Sequence, residues 1–120
     1  MRTRIGNTYQ AKIWLLQRLS AVVLAICSIT HLITIIIAVK GGLTSAEIIE
    51  RVGANTEWFI FYSTFIIAAS IHAPIGIRTI LKETTNASNL TVTILIFSFG
   101  LLIGGLGMWS ILGFYRLGEL

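Results

Sequence analysis

Three long apolar runs, over about residues 13–39, 57–83 and 90–114, constrain what this chain can become. Crossing the hydrocarbon of a bilayer as a helix takes roughly 20 apolar residues, so each run is long enough to span. In lipid every backbone polar group must be satisfied internally, which leaves helices or a closed barrel. A barrel needs short segments of alternating polarity, and this sequence has none. The expected fold is therefore an all-α membrane protein with three transmembrane helices, one domain over residues 1–120. Charged residues make up only 12% of the chain. A soluble domain carries about twice that share, and no room remains for a soluble catalytic lobe.

The first run is too long for the apolar region of a removed secretory signal, which is about 7 to 15 residues. The net charge of +4 reads as juxtamembrane orientation charge, not as a nucleic-acid patch. Arg2, Arg4, Lys12, Arg18, Arg78 and Lys82 fall to one side of the spans, and Lys40, Arg51 and Arg116 to the other. That imbalance predicts the amino terminus inside and the carboxyl terminus outside. A single cysteine, Cys27, excludes an intrachain disulfide and reads as a small buried apolar residue.

Between the spans the signals are local. Residues 1–12 are polar and basic and read as a flexible or surface-lying arm. Lys40-Gly41-Gly42 is a helix stop. Thr44 and Glu47 fit a capping box, which predicts a short amphipathic helix with Ile48, Ile49 and Val52 on its lipid or protein side. Pro74 frees the carbonyl of Ser70 and predicts a bend beside His72. Gly100-x-x-x-Gly104 is a small-residue pair that lets another helix approach closely. Trp109 and Tyr115 suit an interfacial belt.

Ionisable residues inside such runs are costly and point to function. His72 and Gly76 are four apart and share one helical face, with bulk removed where a flat ligand would lie against the imidazole. Arg78 lies six residues past His72, roughly 9 Å further along the axis. That is about the reach from an axial ligand to the carboxylates at a haem edge. His31 lies in the outer half of the first run. Neutral imidazole is a good axial ligand for iron, and a low-spin b-type haem takes one on each face. The plainer alternative is an imidazole bonded to a backbone carbonyl or a nearby hydroxyl. No C-x-x-C-H is present, so covalent haem attachment is excluded. Trp14, Gln17 and Arg18 fall within about one turn and, beside Ser20, offer a ring, an amide and a guanidinium to a quinone head group or a haem propionate.

These residues carry a resemblance. Over about half its length the chain resembles the cytochrome b membrane-anchor subunits of succinate dehydrogenase and fumarate reductase. That family has a His on its second helix, a Gly four later, an Arg two after that and an acid at the helix end, here His72, Gly76, Arg78 and Glu83. Its first helix has an Arg closely followed by a hydroxyl residue, here Arg18 and Ser20. Thr79 stands where the family often has a second His, Glu83 where it commonly has Asp, and Trp14 near a quinone-contacting Ser.

The resemblance implies haem b with His72 as an axial ligand. It implies Arg18 at a propionate or quinone site, and Trp14 in the pocket for ubiquinone or menaquinone. Related di-haem anchors use a first-helix His for an outer haem, here His31; a mono-haem version with His31 as a spectator is the alternative. The expected partners are a flavoprotein subunit, an iron–sulfur subunit and a second anchor chain, either the same chain or a sister. The expected location is the inner (cytoplasmic) membrane. Flavin, nucleotide and cluster motifs are missing from this chain, so dehydrogenase chemistry would belong to the partners. A haem-free anchor or assembly subunit is the alternative. A small multidrug-type transporter is disfavoured, because Glu47, Glu50, Glu57, Glu83 and Glu119 all fall at ends or in loops.

Overall fold

The computed structural model describes residues 2–120. Four helices follow one another: α1 (Arg2–Gly41), α2 (Ser45–Val52), α3 (Thr56–Thr84) and α4 (Asn89–Glu119). No strand occurs among the described residues. Three of the helices are long and apolar enough to cross a membrane, over Gly6–Gly41, Thr56–Thr84 and Asn89–Glu119. The bundle is elongated, 57 × 26 × 24 Å. Its centre is α3, which packs α1 on one flank and α4 on the other, while α2 lies against α4.

Local chemistry sets the ends of the elements. Asn55 opens α3, its side-chain oxygen accepting from the N–H groups of Glu57 and Trp58 at 3.0 and 3.2 Å. Ser88 opens α4 by accepting from the Thr91 N–H. Both caps satisfy amides that a helix start leaves unpaired. The helix α3 runs unbroken through Pro74.

Two boundaries differ from the sequence expectation. Residues 2–12 are not a separate arm but the first turns of α1. Extending a helix that already exists adds one hydrogen bond per residue fixed, without a new nucleus, so polar residues continue it readily. At the other end α4 runs past residue 114 to Glu119. There the Ala54 N–H donates to the Tyr115 carbonyl at 3.1 Å, and Gly53 lies directly on Gly118. A contact distant in sequence holds that last turn.

Small residues set the α3–α4 spacing. A Cβ at Gly100 would stand 3.1 Å from Pro74 and 3.3 Å from the Ser70 carbonyl oxygen, and one at Gly104 would stand 3.2 Å from the Ser70 hydroxyl. The Gly100-x-x-x-Gly104 pair thus packs on α3 at the carbonyl that Pro74 frees, where dispersion contacts replace a hydrophobic driving force. The core is thin: Cys27, Ala68, Val92 and Ile96 are the buried apolar residues among those described. Leu19, Val22, Ile26, Leu101 and Leu106 all face outward, and Trp109 is 80% exposed. Such a surface belongs against lipid or other apolar chains.

The α2 segment forms as its capping box requires. The Thr44 N–H and hydroxyl both donate to Glu47 Oε2, at 2.6 and 2.8 Å, and the Glu47 N–H donates back to Thr44 Oγ1 at 3.3 Å. The backbone and side-chain bonds from Thr44 hold the Glu47 carboxyl below its ordinary value of 4.5. A depressed folded value means that the carboxylate form contributes stability above the ordinary carboxylate range. That contribution is lost as pH falls through the folded value. Acidification below the ordinary carboxylate range is therefore expected to speed amide exchange across α2 before α3 or α4 responds. Equal acid sensitivity in all three would contradict this.

Candidate functional site

The site is built where α1 crosses α3. Gln17 and Ser20 are three apart on α1, and His72 and Gly76 four apart on α3, so each pair forms one face. The two faces meet. Ser20 Oγ lies 3.4 Å from His72 Nδ1 and donates to the Gln17 carbonyl at 3.1 Å. A Cβ on Gly76 would stand 3.5 Å from Gln17 Nε2. The missing side chain at Gly76 therefore admits the Gln17 amide. Gln17 Oε1 is buried with no hydrogen-bond partner among the described residues. Ser20 is 6% exposed, the one buried polar side chain among the described residues.

Beside this crossing lies a cleft of about 860 Å³ between α1, α3 and α4, towards the α3–α4 turn. Trp14, Gln17, Pro74, Arg78 and Gly100 are among its walls, with Tyr9, Gln10, Lys82 and Glu83 also lining it. Its volume suits a small-molecule site. Arg18 stands over the Trp14 ring, with its guanidinium carbon 5.2 Å from the centroid. Trp14 is itself 60% exposed. Thus Trp14, Gln17 and Arg78 share the cleft, Arg18 stacks on its Trp14 wall, and Ser20, His72 and Gly76 lie at the helix crossing beside it.

The other histidine occupies a different level. His31 Nδ1 lies 3.3 Å from the Tyr62 hydroxyl, and its ring meets Tyr62 and Phe65 edge-on at 5.6 and 5.8 Å. It lines a second, almost wholly apolar cavity of about 310 Å³ under α2, where Ile48, Val52, Trp58 and Tyr115 close in. Ser20 and His31 are eleven positions apart on α1, and Tyr62 and His72 ten apart on α3. Both spacings put the two imidazoles about 15 Å apart along the bundle at the usual helical rise. One chain therefore offers one imidazole at each level.

Among the described residues no three His, Cys, Asp or Glu side chains come together. Axial ligation of a porphyrin iron does not need such a cluster, since it takes one imidazole per face. The crossing suits that group. Ser20 engages Nδ1 of His72, while Nε2 has no hydrogen bond among the described residues.

Tyr9 and Gln10 of the cleft wall and Tyr62 beside His31 escape a reading of the sequence alone. The polar, basic composition of residues 1–12 masks Tyr9 and Gln10, although Gln10, Trp14 and Gln17 have helical spacing. Tyr62 carries no local signal, because its pairing with His31 is made between helices.

No curated protein and no solved structure matches the chain. A family model, described as the succinate dehydrogenase/fumarate reductase transmembrane subunit, matches residues 2–107. That stretch takes in all of α1, α2 and α3, the cleft, both histidines and α4 as far as Gly107. With three spans and this match over most of its length, the chain belongs to the family of succinate dehydrogenase/fumarate reductase transmembrane subunits.

Proposed function

We propose that this chain is the cytochrome b anchor of a succinate dehydrogenase or fumarate reductase complex. In this reading it lies in the inner (cytoplasmic) membrane with the α3–α4 turn on the inner side. It docks a flavoprotein subunit and an iron–sulfur subunit there. The observation that carries the reading is the crossing itself: a half-buried His72 with Nδ1 engaged by Ser20 and Nε2 without a partner among the described residues, beside a cleft lined by Trp14, Gln17 and Arg78. His72 would hold the iron of haem b, and the haem supplies a one-electron centre near the quinone route. Arg78 makes no ion pair among the described residues and would pair with a propionate.

The cleft would hold the head group of ubiquinone or menaquinone. Trp14 supplies a flat wall and the Gln17 amide a hydrogen bond to a carbonyl. Arg18, stacked on Trp14, would polarise a carbonyl or bind the second propionate. Electrons from succinate, or toward fumarate, would reach this cleft through the clusters of the partner. Because the two imidazoles of one chain stand at separate levels, a second imidazole for either haem would come from a second anchor chain. Two His72 residues would clamp an inner haem and two His31 residues an outer one.

A haem-free anchor is the second reading. It is favoured by the hydroxyl partner that each imidazole has within the chain. Purification of the complex in gentle detergent separates the two. The cytochrome reading expects the flavoprotein and iron–sulfur subunits to co-purify, with a Soret band and a reducible α band. A complex with those subunits and no Soret band would establish the haem-free anchor, and a preparation without the flavoprotein would overturn both.

A further inference from the structure

We propose that Ser20 is a positioning residue that sets the tautomer of His72, keeping the ring proton on Nδ1 and leaving Nε2 as a bare lone pair for iron. The inference rests on the haem reading above but is made by the chain's own hydrogen bonds. A serine hydroxyl has one proton and two lone pairs. Ser20 Oγ donates that proton to the Gln17 carbonyl, which can only accept. The same oxygen faces His72 Nδ1 at 3.4 Å. With its proton already placed, Oγ can meet Nδ1 only as an acceptor, so Nδ1 carries the hydrogen. A neutral imidazole has one N–H, and Nε2 is then unprotonated, the form that ligates a metal. Because Ser20 is buried, water does not compete for either bond.

His31 is held differently. Its hydroxyl partner, Tyr62, makes no other hydrogen bond among the described residues, so the phenolic proton is free to go to Nδ1. A phenol oxygen can also accept, so this contact holds with the His31 hydrogen on either ring nitrogen. One imidazole is preset for iron before any haem arrives, and the other is not. Gln17 takes part through its backbone carbonyl, and Gly76 leaves space for the Gln17 side chain.

A metal-ligating imidazole that donates its other N–H is a stronger electron donor, and losing such a partner typically costs 10–100-fold in affinity. In the intact complex Ser20→Ala should therefore weaken haem retention about tenfold or more and raise the haem midpoint potential. Ser20→Thr, which keeps the hydroxyl, should restore both. A wild-type complex that holds haem, together with a Ser20→Ala complex of the same occupancy and potential, would overturn the inference and leave the haem reading standing. A wild-type complex without haem would instead overturn that reading. Nitrogen-15 NMR of the full chain in micelles, made under haem limitation, tests the tautomer directly. His72 should show a protonated Nδ1 in the wild type and lose that preference in Ser20→Ala. A protonated Nε2 in the wild type would end the proposal whether or not Ser20→Ala assembles.

Discussion

A complex carrying His72→Ala is expected to lose the haem at the level of the α1–α3 crossing, with its share of the reduced α band gone. The size of the effect follows from the spacing. The only other imidazole of the chain is His31, about 15 Å away along the bundle, too far for any rotamer to substitute. Gln17 and Ser20, the polar neighbours of His72, are poor ligands for iron. Haem per chain, measured by pyridine haemochrome, reads the result. The companion variant His31→Ala counts the haems. It should leave the His72-level haem in place and lower the total by half if an outer haem is present, whereas unchanged content would leave a one-haem anchor. Full haem retention in His72→Ala would remove the basis for the cytochrome reading.

The largest structural effect is expected at the opposite end of the bundle. Gly53, just past α2, lies on Gly118, near the end of α4, with backbone against backbone. A Cβ on Gly53 would stand 2.6 Å from the Gly118 Cα and 2.5 Å from the Ile49 carbonyl oxygen. One on Gly118 would run into Gly53 and the Ala54 nitrogen. Neither obstacle is a flexible side-chain tip, so relief requires the α2–α3 connection to lift off α4. That breaks the Ala54 N–H to Tyr115 bond and disturbs the ring contact of Phe59 with Tyr115, whose centroids are 5.2 Å apart. Ala54 already sits at φ 53°, a left-handed conformation with little freedom to adjust. Gly118→Ala should therefore cost about 3 kcal/mol, the upper end for overpacking. It should lower the melting temperature in detergent and expose the Ala54 amide to exchange. Gly105→Ala, with nothing within 4 Å of its Cβ, is the control and should be neutral or slightly stabilising. Equal melting of the two variants would show that α2 is not held by this crossing.

The spans could be read directly because their cause is local. Unbroken apolar length and the need to satisfy backbone groups in lipid left helices as the solution over 13–39, 57–83 and 90–114, and the structure has them. The α2 helix was equally open to reading, since a capping box spans only Thr44 to Glu47. Gly100-x-x-x-Gly104 announced a close helix contact, but not which helix. The structure supplies Ser70 and Pro74 of α3. Where a boundary depended on a distant partner, local rules stopped short, as at the last turn of α4 that Ala54 and Gly53 hold.

The candidate site divides in the same way. Composition and spacing were enough to single out two intramembrane imidazoles, a tryptophan, an amide and an arginine within one turn, and a glycine four residues from a histidine. Each is costly or unusual within a span, and that cost is visible one residue at a time. Which groups share a level is a property of the helix crossing. Only the packing of α1 on α3 brought Ser20 to His72, set Gln17 over Gly76, and put His31 with Tyr62 about 15 Å away. Side-chain polarity is written in the chain itself. Proton placement is not, because it depends on which hydroxyl the fold delivers to which ring nitrogen.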